Sequence, residues 1–359
     1  MDNKTLQVLE WLSDEESRNI FKARLEFEKT YDYSAIQSII DQYAPLYAGK
    51  KWIYVPDELK RVIEQYEEVI VAGAGVRGKA LIRMLLKEGV KVKCAVDSFM
   101  EGSIHYDFGS VNVIKMDSLG SFDGCIIISV FENSIAEQIG SKLVANGVKE
   151  DHIYLLNDYV YPMLAEDFYF DDKLIQYEME EVFVDCGACQ METSIRFIRE
   201  CAGHGVKCSA VYAFEPDFTN YQKCLENATE LGMFGIKTEV VNAGAWSEDS
   251  KISFDSGKGE ASKISDNGND SIRTVSLDSY IKGKVSFIKM DIEGAELEAL
   301  HGAKGIIQKY HPKLAICVYH KSNDITDIPI YIKEIVPEYR FYLRHYSNST
   351  AQTVLYAVI

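Results

Sequence analysis

The 359 residues include 38 basic and 55 acidic side chains, a formal net charge of −17, with 47% hydrophobic and 26% charged residues. These proportions fit a folded protein of two domains, or two plus a small extension, and exclude a disordered chain, a collagen-like fibre and a disulfide-stapled miniprotein. The acidic excess repels a nucleic-acid backbone or an anionic membrane surface; no apolar run reaches the ~18–20 residues of a membrane helix, and the opening Met1-Asp2-Asn3-Lys4 is unlike a signal peptide, so a cytoplasmic address is expected.

Residues 1 to about 66 read as a helical extension. Leu6, Leu9 and Leu12 precede the helix-opening cluster Asp14-Glu15-Glu16, then Ile20, Phe21, Leu25 and Phe27; Ser34 is placed to cap a helix through Ile36, Ile39 and Ile40. This stretch carries no obvious chemical group, and its expected part is to pack on a neighbour or make a homo-oligomer contact.

From Val69 short apolar runs alternate with amphipathic segments, the pattern of strand and helix units building a parallel sheet. Over 67–157, strands are expected at 68–72, 91–96, 111–114, 124–130 and 152–155, with helices at 77–88 and 132–145. The first strand runs into Gly73-Ala74-Gly75-Val76-Arg77-Gly78, and Asp97 closes the next strand 19 residues after Gly78. This is the dinucleotide fingerprint with its ribose-binding acid, and Arg77 adds a phosphate-binding charge at the helix start. The segment resembles the small nucleotide-sugar-binding Rossmann domains attached to sugar-modifying enzymes, which implies a site for the nucleotide or sugar part of a substrate.

Residues 157–178, with Pro162 and the stretch Glu166–Asp172, break the alternation, and a second α/β unit follows over 173–359. Its strands are expected near 181–186, 208–214, 237–243, 285–290 and 313–319, and its helices near 192–203, 217–230, 295–309 and 324–335. Residues 255–271 read as a surface loop between two short strands. Two closing runs, Tyr339–His345 and Thr353–Ile359, joined at Ser347-Asn348-Ser349-Thr350, form a hairpin. A parallel sheet finished by an antiparallel strand favours the methyltransferase arrangement over that of a dehydrogenase.

Chemistry gathers where these strands end, the side on which open α/β sheets bind ligands. The first ends in Asp185-Cys186-Gly187-Ala188; the second in Glu215, 30 residues after Asp185, where a carboxylate can accept both hydroxyls of a ribose. The third ends in Asn242-Ala243-Gly244, whose backbone amides and side chain could face an adenine edge. The fourth ends in Asp291-Ile292-Glu293-Gly294-Ala295-Glu296, and the fifth delivers His320 to the same rim as the best general-base candidate. Glu296 reads as an acid complementing a helix dipole.

On these residues the chain resembles the FkbM-type methyltransferases over roughly 180–359, most specifically in Phe287–Glu296 (FIKMDIEGAE), Pro312–Lys321 (PKLAICVYHK), and Arg344-His345-Tyr346 with Thr353-Val354-Leu355-Tyr356. The resemblance implies two tandem Rossmann-like domains, the second a class I methyltransferase sheet. It also implies methyl transfer from S-adenosylmethionine to a hydroxyl of a sugar, glycolipid or polyketide-like product. Asp185, Gly187 and Ala188 would hold the methionine end, Glu215 the ribose, and Asn242 with Ala243 the adenine. Asp291, Glu293 and His320 would surround the methyl and its acceptor, with His320 or Asp291 taking the proton. A divalent ion on Asp291 and Glu293 is an alternative with an incomplete ligand set. One departure is Met191, where the family's first loop carries a second glycine.

Eight cysteines without small-domain spacing read as reduced thiols, and Cys186 with Cys189 as part of the ligand loop in preference to a zinc site. Two rival readings stay open: an NAD-dependent oxidoreductase using residues 69–156, and a non-catalytic nucleotide-binding or partner-binding protein.

Overall fold

The structure, a computed structural model, describes the chain apart from residues 1, 31–33, 44–54, 56, 107–108, 131–132, 160–167, 234, 256–262, 265–269 and 348–349. Pro162 and Glu166 of the expected domain junction, most of the 255–271 loop, and Asn348 and Ser349 of the expected turn lie outside the described residues. The chain falls into two units: Met1–Phe21 with Asp167–Arg344 and Gln352–Ile359, and Lys22–Glu166 with His345–Ala351.

Helices open the chain, each with an identifiable start. In α1 (Asn3–Trp11) the Asp2 side chain accepts the Thr5 N–H at 2.8 Å, and in α2 (Glu15–Thr30) Asp14 does the same for Ser17 at 2.8 Å. Next come α3 (Ser34–Tyr43) and α4 (Asp57–Ile63). The stretch expected as one extension is divided inside α2, and its first part belongs with the C-terminal unit for a structural reason. Leu12 bridges Phe341, the Leu343 N–H donates to Ser17 Oγ at 2.8 Å, and the Arg344 guanidinium lies 2.7 Å from Asp14 and 3.5 Å from Asp171.

The unit beginning at Lys22 holds β1 (Val69–Ala72), α5 (Val76–Lys87), β2 (Val92–Asp97), β3 (Gly102–Tyr106), β4 (Gly109–Lys115), β5 (Cys125–Ile128), α6 (Asn133–Ala145) and β6 (Ile153–Leu155). Its sheet runs β3-β4-β2-β1-β5-β6, parallel except for β3, which pairs antiparallel with β4. The central β1 and β5 are apolar and buried throughout, as strands covered on both faces must be. The Gly-Ser-Ile-His-Tyr sequence of β3 buries none of its residues fully, which is why no apolar pattern announces it.

The other unit holds β7 (Glu180–Cys186), α7 (Glu192–Gly203), β8 (Lys207–Phe214), α8 (Phe218–Met233) and β9 (Lys237–Val241). A small sheet follows, built from β10 (Gly244–Ala245), β11 (Ser250–Asp255), β12 (Lys263–Ile264) and β13 (Asp270–Val275) in the order β10-β13-β11-β12. Then come α9 (Leu277–Tyr280), β14 (Phe287–Met290), α10 (Glu296–His301), α11 (Lys304–Tyr310), β15 (Lys313–Cys317), α12 (Asp324–Ile335), β16 (Arg340–His345) and β17 (Thr353–Val358). The main sheet runs β16-β17-β15-β14-β7-β8-β9, with β17 antiparallel to β15, the order of a class I methyltransferase sheet. The single helix expected over 295–309 is two, because a Cβ on Gly302 would lie 1.9 Å from the Trp246 carbonyl oxygen. Phe183 and Phe197 stack at 4.3 Å with Phe170 and Phe287 around them, fixing α7 on the sheet.

In the first α/β unit a Cβ on Gly78 would lie 1.8 Å from the Gly73 carbonyl oxygen. Gly78→Ala is therefore expected to lower the unfolding free energy by about 1–3 kcal/mol, the cost of forcing a methyl group into filled space. A urea midpoint equal to that of the unaltered protein would show that the turn yields freely.

Candidate active site

The chain runs outward from β7 to β8 and β9 on one side and from β14 to β15 on the other, so the topological switch lies between β7 and β14, where open α/β sheets bind ligands. Two loops flank it. Gly187, at φ +78°, sits so close to the second loop that a Cβ would stand 2.1 Å from the Asp291 carbonyl oxygen. The Asp291 N–H donates to the Cys186 carbonyl at 3.2 Å, tying the strand ends together.

Beneath the first loop lies Lys289, which sequence reasoning missed; its signal was a lysine inside the otherwise apolar Phe287-Ile288-Lys289-Met290. Lys289 is 3% exposed and donates to Asp185 Oδ1 at 3.0 Å, the Gly187 carbonyl at 2.8 Å and the Cys186 carbonyl at 3.3 Å. Burial opposes its charge, but Asp185 and Asp291 outweigh burial and hold the ammonium protonated. Asp185 is fully buried, and its other oxygen accepts the Ser194 hydroxyl at 2.7 Å. Asp185, expected to hold the methionine end of the cofactor, thus also acts on the loop through Lys289.

Glu215 follows β8, nearly buried, and its oxygens accept the Cys189 N–H at 2.8 Å and the Asp217 N–H at 2.9 Å. Burial pushes its carboxyl up to about 7, against the pull of the Asp217 and Cys189 amides. The Asn242 amide donates to the carbonyls of Glu215 at 3.0 Å and Pro216 at 3.2 Å, and the Ala243 N–H donates to Val241 at 2.9 Å. The donors expected to face an adenine are therefore already used to shape the turn after β9. Ala188 is buried in the first loop.

Met191 occupies a position built for glycine, at φ +65°, which costs a side-chain-bearing residue roughly 1–2 kcal/mol. Its side chain is wholly buried, worth roughly 1.5–3 kcal/mol, so burial covers the strain. Cys186, Cys189 and the other six cysteines are free thiols, and among the described residues none joins a metal-ligand group.

At the end of β14, Asp291 is held by two phenols: Tyr169 donates to Oδ2 at 2.7 Å and Tyr319 to Oδ1 at 3.0 Å. Burial would raise its carboxyl, but Lys289, His320 and the phenols lower it below the usual range. Tyr319 adjoins the recognised strand end, whereas Tyr169, at a strained φ of +75°, lies too far upstream to be tied to it by spacing. His320 Nε2 stands 3.3 Å from Asp291 and 3.6 Å from Glu293, and Nδ1 stands 2.9 Å from Glu296. Burial works against its charge, yet the surrounding carboxylates raise it to about 10. Those carboxylates thus favour the charged imidazolium over the neutral ring expected of a general base. Glu296, expected as a dipole-complementing surface acid, is fully buried and accepts the Ile292 N–H at 2.9 Å.

The glycine loop of the other unit joins β1 to α5. Gly73 is at φ +98°, Gly78 packs against it, and a Cβ on Gly75 would meet nothing within 4 Å. Asp97 is committed to backbone, accepting the N–H groups of Ala74 at 2.8 Å, Phe99 at 2.8 Å and Met100 at 2.9 Å. Arg77 donates to the Val130 carbonyl at 3.1 Å and to Asn157 Oδ1.

Because its folded pKa is raised from the ordinary 4.5, Glu215 contributes stability that is whole below about pH 4.5 and is lost as the pH climbs through about 7. Asp324, raised by burial to about 6, adds to the same decline. Denaturant unfolding across this window is expected to show stability falling with pH, less steeply in Glu215→Gln; an equally steep fall in the variant would assign the titration elsewhere.

Residues 185–348 match the family model described as the methyltransferase FkbM domain. No protein of curated function matches the chain. Among solved structures, the chain is similar to a methyltransferase FkbM of Methylobacillus flagellatus KT, with 22% identity, 90% of this chain and 98% of that one covered, and a TM-score of 0.49. It is also similar to an rRNA methylase of Streptococcus thermophilus (16% identity, 50% and 86% covered, TM-score 0.33). A third is a Streptococcus mutans protein described as a methyltransferase, solved with S-adenosylhomocysteine (12% identity, 54% and 96% covered, TM-score 0.34). The strand ends that carry the charged corner therefore lie within the segment, residues 185–348, that matches the methyltransferase FkbM domain model.

Proposed function

We propose that the chain is an S-adenosylmethionine-dependent O-methyltransferase acting on a hydroxyl of a saccharide or related natural product. The observation that carries this reading is the FkbM domain placed on a sheet whose switch point gathers Gly187, Glu215 and Asp291. The donor set fits the cofactor. Each Glu215 oxygen uses one lone pair on a backbone amide and has a second for a ribose hydroxyl. The neighbouring corner sets Asp291, Glu293 and Glu296 against one imidazolium, an excess of negative charge suited to a cation.

When bound, S-adenosylmethionine supplies a methyl group activated by its sulfonium. The chain's own residues then have three tasks. Lys289, through Asp185 and the two loop carbonyls, fixes the loop after β7. Tyr169 and Tyr319 hold the Asp291 carboxylate in one orientation. Glu293 takes the acceptor's proton: it has the most exposed side chain of the three carboxylates, at 32% against 21% for Asp291 and 0% for Glu296, whereas His320 already carries its proton.

A nucleotide-linked sugar is the acceptor class we favour, because the strand, glycine loop and helix of β1 to α5 follow the sequence pattern that takes a diphosphate at a helix start.

Calorimetry with S-adenosylmethionine, S-adenosylhomocysteine and NADH tests the reading. Both sulfur compounds are expected to bind, and Glu215→Ala to weaken them by about 10- to 100-fold, as for a lost charged hydrogen bond worth ~1.5–3 kcal/mol. Response to NADH alone would establish the oxidoreductase instead, and response to none of the three a non-catalytic role. Once an acceptor is in hand, Glu293→Gln should slow turnover at least ~100-fold with cofactor affinity kept; full activity would remove Glu293 as the proton acceptor.

A further inference from the structure

We propose that Asp291, Glu296 and His320 form a binding site for one divalent cation of the Mn²⁺ or Mg²⁺ class. The three come from separate places in the chain: the end of β14, the first residue of α10 and the turn after β15. Each offers one ligand atom, and all three atoms lie within 4.8 Å of one another.

Two independent observations point to a ligand there. The first is charge. Asp291, Glu293 and Glu296 stand 3.3, 3.6 and 2.9 Å from the single His320 ring, and carboxylates gathered in a part-buried corner are costly without matching cations. The second is unsatisfied polar atoms. Glu296 Oε2, on a fully buried side chain, has no hydrogen-bond partner among the described residues. The His320 side chain is 7% exposed, and its ring nitrogens stand at ion-pair distance from carboxylates yet make no directed hydrogen bond. A cation here would take the lone pair of one His320 ring nitrogen, displacing the proton that the ring otherwise carries, and would give the Glu296 carboxylate a partner.

Two carboxylate oxygens, one imidazole nitrogen and no thiolate suit a hard-to-borderline ion, with water or a hydroxyl completing its shell. The second cluster of this kind, Asp172, Glu200 and His204, makes the contrast. It is largely exposed, His204 Nε2 already bonds Asp172 at 2.9 Å, and its ring stacks on Tyr177. The cation site stands independently of the methyl-transfer reading. Only its use rests on that reading, which places the ion where an acceptor hydroxyl must lose its proton.

The test uses the full chain, stripped with chelator and titrated with Mn²⁺ alone, free ion being read by electron paramagnetic resonance and stability by thermal melting. One ion per chain should bind, Mg²⁺ should compete, and the melting temperature should rise. His320→Gln and Glu296→Gln should each weaken binding at least about tenfold, while His204→Gln leaves it unchanged. If Glu296→Gln fails to fold by circular dichroism, His320→Gln decides. Absence of Mn²⁺ binding below millimolar concentration, or binding indifferent to His320→Gln, overturns the proposal. Retained binding of S-adenosylhomocysteine in either case would leave the methyltransferase reading standing.

Discussion

The buried ion pair between Lys289 and Asp185 is the constraint from which the site follows. Both groups lie in the sheet interior, where an unpaired charge would cost several kcal/mol, so each must be fully engaged. Lys289 meets that demand by giving further hydrogen bonds to the carbonyls of Cys186 and Gly187, and so fastens the loop after β7 to the strand beside it. The contact depends on Gly187, since any side chain there would drive the loop away from Asp291. At the opposite end of the strands Glu181, on β7, meets Lys313, on β15, at 2.9 Å. The interior of the sheet is thus spanned by charge pairs at both ends, with apolar strands between them.

With Asp185 neutralised inside the fold, Asp291 becomes the acid of the switch point that faces chemistry. Its two phenolic donors and the adjacent cations keep it ionised despite burial, and the same interactions make it a weak base. His320 meets the opposite pressure and keeps its proton. The proposed acid–base work therefore falls to Glu293, the carboxylate of the three with the most open side chain. A strand-end aspartate and a histidine side by side suggest an acid–base pair in sequence, but in the fold they form an ion pair.

The parts legible in sequence were those dictated by periodicity. The apolar strands β1, β5, β7, β14 and β15 and the closing strands β16 and β17 stand where the alternation places them. Position along the chain, however, does not determine direction of hydrogen bonding. Asp97, Asp185 and Asn242 were expected to face ligands because they sit at strand ends, and each also makes hydrogen bonds within the fold. Backbone N–H and C=O groups at strand-to-helix turns need partners as much as a ligand does, and short polar side chains at those turns are the nearest ones. Tyr169 was illegible for another reason: its contact with Asp291 spans 122 residues, and no local pattern marks it.

The two glycine loops solve one geometric problem in different ways. In each, an acid ending the second strand accepts a loop N–H at 2.8 Å: Asp97 from Ala74, and Glu215 from Cys189. The first loop then leaves Gly75 bare, so that a bulky anion could approach the backbone. The second bends through Cys189 and Met191 at positive φ and fills the space with a buried methionine side chain. The Met191 departure from the glycine pattern thus changes how the second loop is filled while its acid-to-amide tie, Glu215 to Cys189, is kept.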